Sequence, residues 1–286
     1  MIGECHAHTF MNGEDYQKAV STHKMQVSDT VICEYLCEYQ KRGISYIRDG
    51  GDDFGVSLRT SQLAREFNIN YRTPVFAIHK KGRYGAIIGR DYESLEDYRK
   101  LVKTVRQLGG HFIKVVLSGI VDFEKSEVVT SSDVDYDEVR ELVAIAHTEG
   151  FAVMAHVNGA KAIANAANCG VDSIEHGYFI DELAMETLLV NKVVWVPTLV
   201  TAANLLKTNR CSLKSVERNF LQHQDNIRKA SKKGVLIAPG SDAGAYAVKH
   251  GQGIIEEYQL LTKLLKREQQ DEDYLQKGLE VIMNKF

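Results

Sequence analysis

Six residues scattered along the chain have the side chains that bind divalent metals and put them to use: His6, His8, Lys114, His156, His176 and Asp242. His6 and His8 are two apart in Ile2–His8, a run that reads as a strand. Side chains alternate across a strand, so both imidazoles are expected on one face, with Cys5 and Ala7 turned toward covering helices. Such a pair also fits two histidines satisfied by local hydrogen bonds. Lys114 interrupts the apolar stretch Phe112-Ile113-Lys114-Val115-Val116-Leu117. A bare ammonium buried there is costly. Carboxylation of its amine by carbon dioxide reverses the charge and supplies two oxygens able to bridge two cations. The competing reading is a lysine that pairs with a carboxylate or faces outward. His156 ends the apolar run Ala152–His156, His176 ends the strand-like segment Val171–His176, and Gly follows each closely. Imidazoles of this kind suit zinc. Asp242 sits in Gly240-Ser241-Asp242-Ala243-Gly244. There it is either an N-cap or Asx-turn residue of the following loop or a metal-binding, proton-carrying carboxylate.

Chemistry drawn from such distant positions needs a scaffold that gathers strand ends. The predicted strands are Ile2–His8, Ile44–Asp49, Thr73–Ile78, Phe112–Ser118, Phe151–His156, Val171–His176, Val193–Thr198 and Val235–Asp242. Predicted helices alternate with them: Ser28–Arg42, Thr60–Phe67, Ser94–Leu108, Asp135–Glu149, Ala160–Cys169, Asp181–Val190, Ser215–Lys233 and much of Ile255–Phe286. Ser28 and Ser94 are placed as N-caps, and Gly43 and Gly109-Gly110 as stops. Eight strands alternating with helices imply an α/β fold, a parallel (β/α)8 TIM barrel, whose chemistry lies at the C-terminal strand ends. An open doubly wound sheet explains the alternation, but not why candidate ligands end five separate strands. The 286 residues, 44% hydrophobic, suffice for one domain over 1–286.

The formal charge of -3 provides no bulk attraction for nucleic acid or an anionic membrane. Five cysteines without short paired spacing argue for free thiols and a reducing compartment. Cys33 and Cys37, one helical turn apart, are read as a packed helix face rather than a metal pair. The N-terminus has no charged segment followed by an apolar run, and no stretch approaches a membrane span. A cytoplasmic protein acting on a small molecule is expected, with neither nucleic acid nor membrane as partner; a homo-oligomer is compatible with the sequence.

The ordered set of His-x-His, fourth-strand Lys, two strand-end His and a last-strand Asp resembles the amidohydrolase superfamily. The phrases Ile47-Arg48-Asp49-Gly50-Gly51, Ala155-His156, Ser173-Ile174-Glu175-His176-Gly177, Val196-Pro197-Thr198 and Gly240-Ser241-Asp242-Ala243-Gly244 are similar to its imidazolonepropionase-related, prolidase-like and carboxypeptidase-like branch. The resemblance spans nearly the whole chain. It implies two zinc ions, the more buried held by His6 and His8 and the more exposed by His156 and His176. Carboxylated Lys114 would bridge them, and Asp242 would join the first ion and contact a bridging hydroxide. Many relatives carry a small β-sandwich flanking the barrel; this chain is expected to lack it.

That resemblance implies hydrolysis of a C–N bond in a dipeptide, N-acyl amino acid or related small amide, with Asp242 shuttling the proton. Tyr178 is a candidate oxyanion donor, or else an aromatic packed on the rim. Arg83, with Tyr84 beside it in the cationic loop after the third strand, is a candidate carboxylate clamp, or else part of a solvated charge run. Asn158 is a third substrate-binding candidate. Arg48 is expected to pair with a framework carboxylate. The loop Phe10–Val27 has the length of a functional lid. Competing functions are a lactonase or phosphotriesterase on the same centre, a mononuclear deaminase, and a non-catalytic metal-binding barrel.

Overall fold

The computed structural model describes residues 2–266 and 273–286. Its strands are β1 (Glu4–Ala7), β2 (Tyr46–Asp49), β3 (Asn70–Arg72), β4 (Ala77–Lys80), β5 (Gly89–Tyr92), β6 (Ile113–Val116), β7 (Val153–Val157), β8 (Ser173–His176) and β9 (Val194–Val196). Its helices are α1 (Tyr16–His23), α2 (Asp29–Lys41), α3 (Val56–Leu63), α4 (Leu95–Gln107), α5 (Tyr136–Thr148), α6 (Ala160–Asn168), α7 (Glu182–Val190), α8 (Val200–Leu205), α9 (Leu213–Lys233), α10 (Gln252–Lys266) and α11 (Tyr274–Lys285).

Every strand pairing is parallel, in the orders β1-β2-β3 and β5-β4-β6-β7-β8-β9. Two connections join these sheets into a barrel. On one side the chain runs from β3 into β4 through Thr73–Phe76. On the other, the segment 235–243 bridges β9 and β1. Trp195 pairs with Ile237 and Ala7 with Ala243. Cys5 N donates to Pro239 O at 3.0 Å and Asp242 N to His6 O at 2.7 Å. The fold is a TIM-type α/β barrel.

Local signals explain most elements. Ser28 caps α2 by accepting from Val31 N, and Ser94 and Asp97 form a reciprocal capping box at α4. Asp135 and Asp181 cap α5 and α7. The helix-facing core runs through Val102, Val115, Ile145, Ile163, Ile174 and Leu188. A second cluster fills the barrel interior with Tyr46, Phe112, Met154, Val194 and Val196, against Leu279 and Ile282 of α11 and Phe286 beyond it. Among the described residues no helix is long and apolar enough to cross a membrane.

Several expected elements differ. The third strand is broken rather than continuous from Thr73, because Pro74 lacks a backbone donor and Val75 has φ 70°. The helix expected over Thr60–Phe67 begins at Val56 and ends in a 3-10 turn, Ala64–Phe67. The eighth segment is held by isolated bridges rather than a regular ladder. The loop Phe10–Val27 contains α1, whose N-cap is Asp15. The single helix expected over Ile255–Phe286 is two helices, and part of that range lies outside the described residues. Cys5 is turned inward rather than toward the helices. The β1–β2 register shifts between Glu4 and Ala7, and a bulge adds a residue that breaks strict alternation. Cys5 therefore joins the interior cluster, while Ala7 packs on the helix side.

Candidate metal centre

β1 delivers His6 to the axis and His8 follows just past its end, and each imidazole has one nitrogen engaged. His6 Nδ1 lies 2.8 Å from Glu175 Oε2, and His8 Nδ1 lies 3.3 Å from Gly51 O. A ring that donates from Nδ1 carries its lone pair on Nε2. The two Nε2 atoms face each other at 3.4 Å, and each is 3.7 Å from Asp242 Oδ1. Their ligating atoms lie within 4.8 Å of one another. The backbone makes room for this: a Cβ on Gly50 would come within 2.2 Å of His8 Cε1.

His156 and His176 repeat the pattern. His156 Nε2 meets Gly119 O at 3.2 Å, leaving Nδ1 available. His176 Nδ1 meets Thr198 Oγ1 at 2.8 Å, leaving Nε2 available. His176 has φ 67°, which swings its ring toward the axis although Glu175 beside it points inward too. Gly177 follows with φ 66°, against Trp195, whose Nε1 donates to His176 O at 2.9 Å. The His156 and His176 rings are 4.6 Å apart, and those of His6 and His176 4.9 Å.

Lys114 rises among these rings from below. It pairs with Met154, two residues deeper than the Val116–His156 pair, so only a long side chain reaches the ring level. It is 1% exposed, and its Nζ has no hydrogen-bond partner. Burial pulls its pKa down to about 8, although Glu175 and Asp242 oppose the shift. Burial, helped by Lys114, also lowers His8 and His156 to about 3, and it holds His6 and His176 well below their usual range. The shifts favour the neutral form of all four imidazoles, and the lone pairs of His6 and His8 face each other. Burial raises Asp242 to about 7, with Lys114 working the other way.

These residues fit a divalent-metal centre. Two imidazole lone pairs 3.4 Å apart beside a carboxylate are mutually repulsive unless a cation or proton lies between them. A lysine amine that is buried, unpartnered and easily neutralised is the form that reacts with carbon dioxide. Each imidazole has the supporting contact that fixes a metal-binding ring.

The centre forms the floor of a cavity of about 580 Å³. Its wall is largely apolar, with Ile87, Ile120, Val121, Phe123 and Leu205. Tyr178 lines it, its ring stacked 3.8 Å from His223 and its hydroxyl 3.5 Å from Thr201 Oγ1. Tyr84 lies 5.3 Å from the His156 ring. Asn158 reaches the wall, but its amide holds the scaffold: Oδ1 accepts from Tyr178 N at 3.0 Å and Nδ2 donates to Gly119 O at 3.1 Å. Arg83 is not in this cavity. Its loop turns outward, and its guanidinium donates to Ser132 O at 3.2 Å beside a separate hollow lined by Lys80 and Lys161.

Several residues went unrecognised in the sequence. Glu175 is fully buried and binds His6 on one side and Arg48 on the other, at 2.8 Å each. The expected carboxylate partner of Arg48 is therefore Glu175. Thr198 steadies His176. Arg210 and Tyr246 line the cavity, from segments without local pattern.

The comparisons with known proteins agree with this architecture. The solved structure of a Xaa-Pro dipeptidase with bound methionine superposes with a TM-score of 0.75 at 21% identity, covering 98% of this chain and 75% of that one. A prolidase complexed with N-methylphosphonate-L-proline gives 0.76 at 21%, covering 98% and 74%. A. niger ochratoxinase gives 0.75 at 20%, covering 98% and 68%. These likenesses concern the fold. In sequence, an uncharacterized protein of Mycobacterium tuberculosis is 26% identical over 125 residues, a match spanning 41% of this chain and 33% of that relative's length. The profile described as Amidohydrolase family matches residues 61–277. On that match and the barrel carrying it, the chain belongs to the amidohydrolase family.

Proposed function

We propose that this protein is a metal-dependent hydrolase that cleaves the C–N bond of a small amide. The observation that carries the reading is the pair of facing lone pairs on His6 and His8, 3.4 Å apart and each 3.7 Å from Asp242. In this reading His6, His8 and Asp242 would hold one divalent ion and His156 and His176 a second, and Lys114, once carboxylated, would be the ligand available to both. Zinc suits the imidazole-rich donor set. Such ions, when bound, polarise a carbonyl oxygen and lower the pKa of water.

The remaining work falls to the chain itself. Asp242, with Oδ1 3.7 Å from both the His6 and the His8 Nε2, is the carboxylate placed to exchange a proton at this centre. Its carboxylate takes a proton from the water adding to the carbonyl carbon. It then gives that proton to the nitrogen, which leaves as an amine when the C–N bond breaks. Tyr178 stays protonated because burial pushes its phenol up, so its hydroxyl can donate to the developing oxyanion. Tyr84 and the apolar wall exclude bulk water and flank the substrate. The substrate class is a dipeptide or N-acyl amino acid, which the cavity of about 580 Å³ can enclose. The dipeptidase and prolidase likenesses support this choice.

The test is to screen zinc-reconstituted protein against dipeptides, N-acyl amino acids, lactones and phosphotriesters. Turnover of amides is the expected result. Hydrolysis confined to lactones or phosphotriesters would overturn the amide assignment.

A further inference from the structure

We infer that Arg210 anchors a carboxylate carried by the substrate, which narrows the substrate class to amides bearing one carboxylate; this rests on the hydrolase reading above. Among the described residues lining the cavity, Lys114 and Arg210 are the only lysine and arginine. Lys114 is buried on the floor among the imidazoles. Arg210 is exposed, on the loop between α8 and α9.

The guanidinium is held but not used. Its Cζ lies 4.0 Å from the centre of the Tyr246 ring. Stacking fixes the plane of the fork while leaving its N–H edge open. Among the described residues its side chain has no ion pair, whereas Arg42, Arg48, Arg59 and Arg90 each pair with a carboxylate. Two neighbouring acids are engaged elsewhere. Glu124 Oε2 accepts from Ser212 N at 3.1 Å, and Asp122 Oδ2 lies 3.6 Å from Lys125 Nζ. A planar cation with a free edge on the wall of a cavity matches a carboxylate in a two-bond pair.

The other charges on the wall set a limit. Glu14, Asp15, Asp122 and Glu124 line the same cavity. One carboxylate finds Arg210; a second meets acids of its own sign. The preferred ligand therefore has one carboxylate, with the remainder of the molecule apolar or neutral against Ile120, Val121 and Phe123.

Calorimetry on the metal-free protein tests this without turnover, using N-acetyl-L-leucine, its primary carboxamide and N-acetyl-L-glutamate. Wild type is expected to bind N-acetyl-L-leucine at least about tenfold more tightly than the carboxamide, as a charge-assisted pair requires. Arg210→Gln should erase that difference and Arg210→Lys should restore part of it, with melting temperatures unchanged. N-acetyl-L-glutamate should bind more weakly than N-acetyl-L-leucine. In zinc-loaded enzyme R210Q should raise KM for carboxylate substrates and leave kcat within a few-fold. A carboxylate preference that survives R210Q, or that wild type lacks, overturns the anchor. Equal or tighter binding of N-acetyl-L-glutamate overturns the single-carboxylate limit. A protein that binds the carboxylate through Arg210 yet cleaves no amide removes the hydrolase reading alone; cleavage indifferent to both carboxylate and Arg210 removes the anchor alone.

Discussion

Glu175 Oε2 lies 2.8 Å from His6 Nδ1, and this contact ties the floor of the cavity to the barrel's buried charge network. The other oxygen of Glu175 meets Arg48 Nη2 at 2.8 Å and accepts from Ser173 Oγ at 2.6 Å. Arg48 also donates to Cys5 O at 2.8 Å, beside the β1 bulge. Glu175→Gln leaves a buried guanidinium without its counter-charge. Unfolding titrations should show a loss of about 3–5 kcal/mol. In the folded fraction, zinc affinity should fall about 10–100-fold, because His6 loses the partner that fixes its tautomer. Unchanged zinc affinity in a folded E175Q protein would contradict that positioning role.

Gly50 tests the same floor sterically. A Cβ there would lie 2.2 Å from His8 Cε1 and 2.6 Å from its Nε2. Gly50→Ala should displace the ring and weaken zinc binding at least about tenfold, within the range seen when ligand support is lost. Equilibrium zinc titration of the variant is the check, and wild-type affinity is the contrary outcome.

Asp242→Asn separates metal binding from proton transfer. With zinc content matched to wild type, turnover should drop at least about a hundredfold, the usual weight of a general acid–base group. Near-normal turnover in a metal-loaded D242N protein would remove Asp242 from the proton path.

These sites show what the sequence makes legible. Strand-end histidines and a lysine inside an apolar strand stand out because period-two burial makes a polar residue conspicuous. Glu175 was hidden by the same rule. Adjacent strand residues should face opposite ways, and only the φ of 67° at His176 lets both point inward. Cys5 was misplaced because a bulge leaves no mark in hydrophobic spacing. Arg83 was misplaced because charge in a loop does not reveal which way the loop turns. Arg210 carries no local signal, since its importance comes from Tyr246, thirty-six positions on, stacking against it. The barrel's alternation was readable; the break at Pro74 and Val75 comes from a backbone turn that strand propensity does not report.

Stability of the metal-free protein should peak near pH 6.5. Burial raises Glu4 and Glu257 from 4.5 to about 8. An acid whose folded pKa is raised contributes stability fully present below its unfolded pKa, lost as pH rises through the folded one. The contribution of these two acids should therefore decline from about pH 5 to 8. The buried histidines act oppositely. His8 and His156 are lowered from 6.5 to about 3, so the unfolded chain gains protons that the folded one refuses as pH falls below 6.5. Thermal melts across pH 4 to 9 provide the curve, and Glu257→Gln should flatten its alkaline limb. A monotonic rise in stability to pH 8 would contradict these assignments.

The most direct measurement is the zinc stoichiometry of the reconstituted protein, with and without bicarbonate, for wild type and Lys114→Gln. The account predicts two zinc ions per chain in wild type with bicarbonate, a carbamate carbon signal in the 13C NMR spectrum, and loss of both in the Lys114→Gln protein. Absence of bound zinc in wild type, or two ions retained by Lys114→Gln, would contradict it.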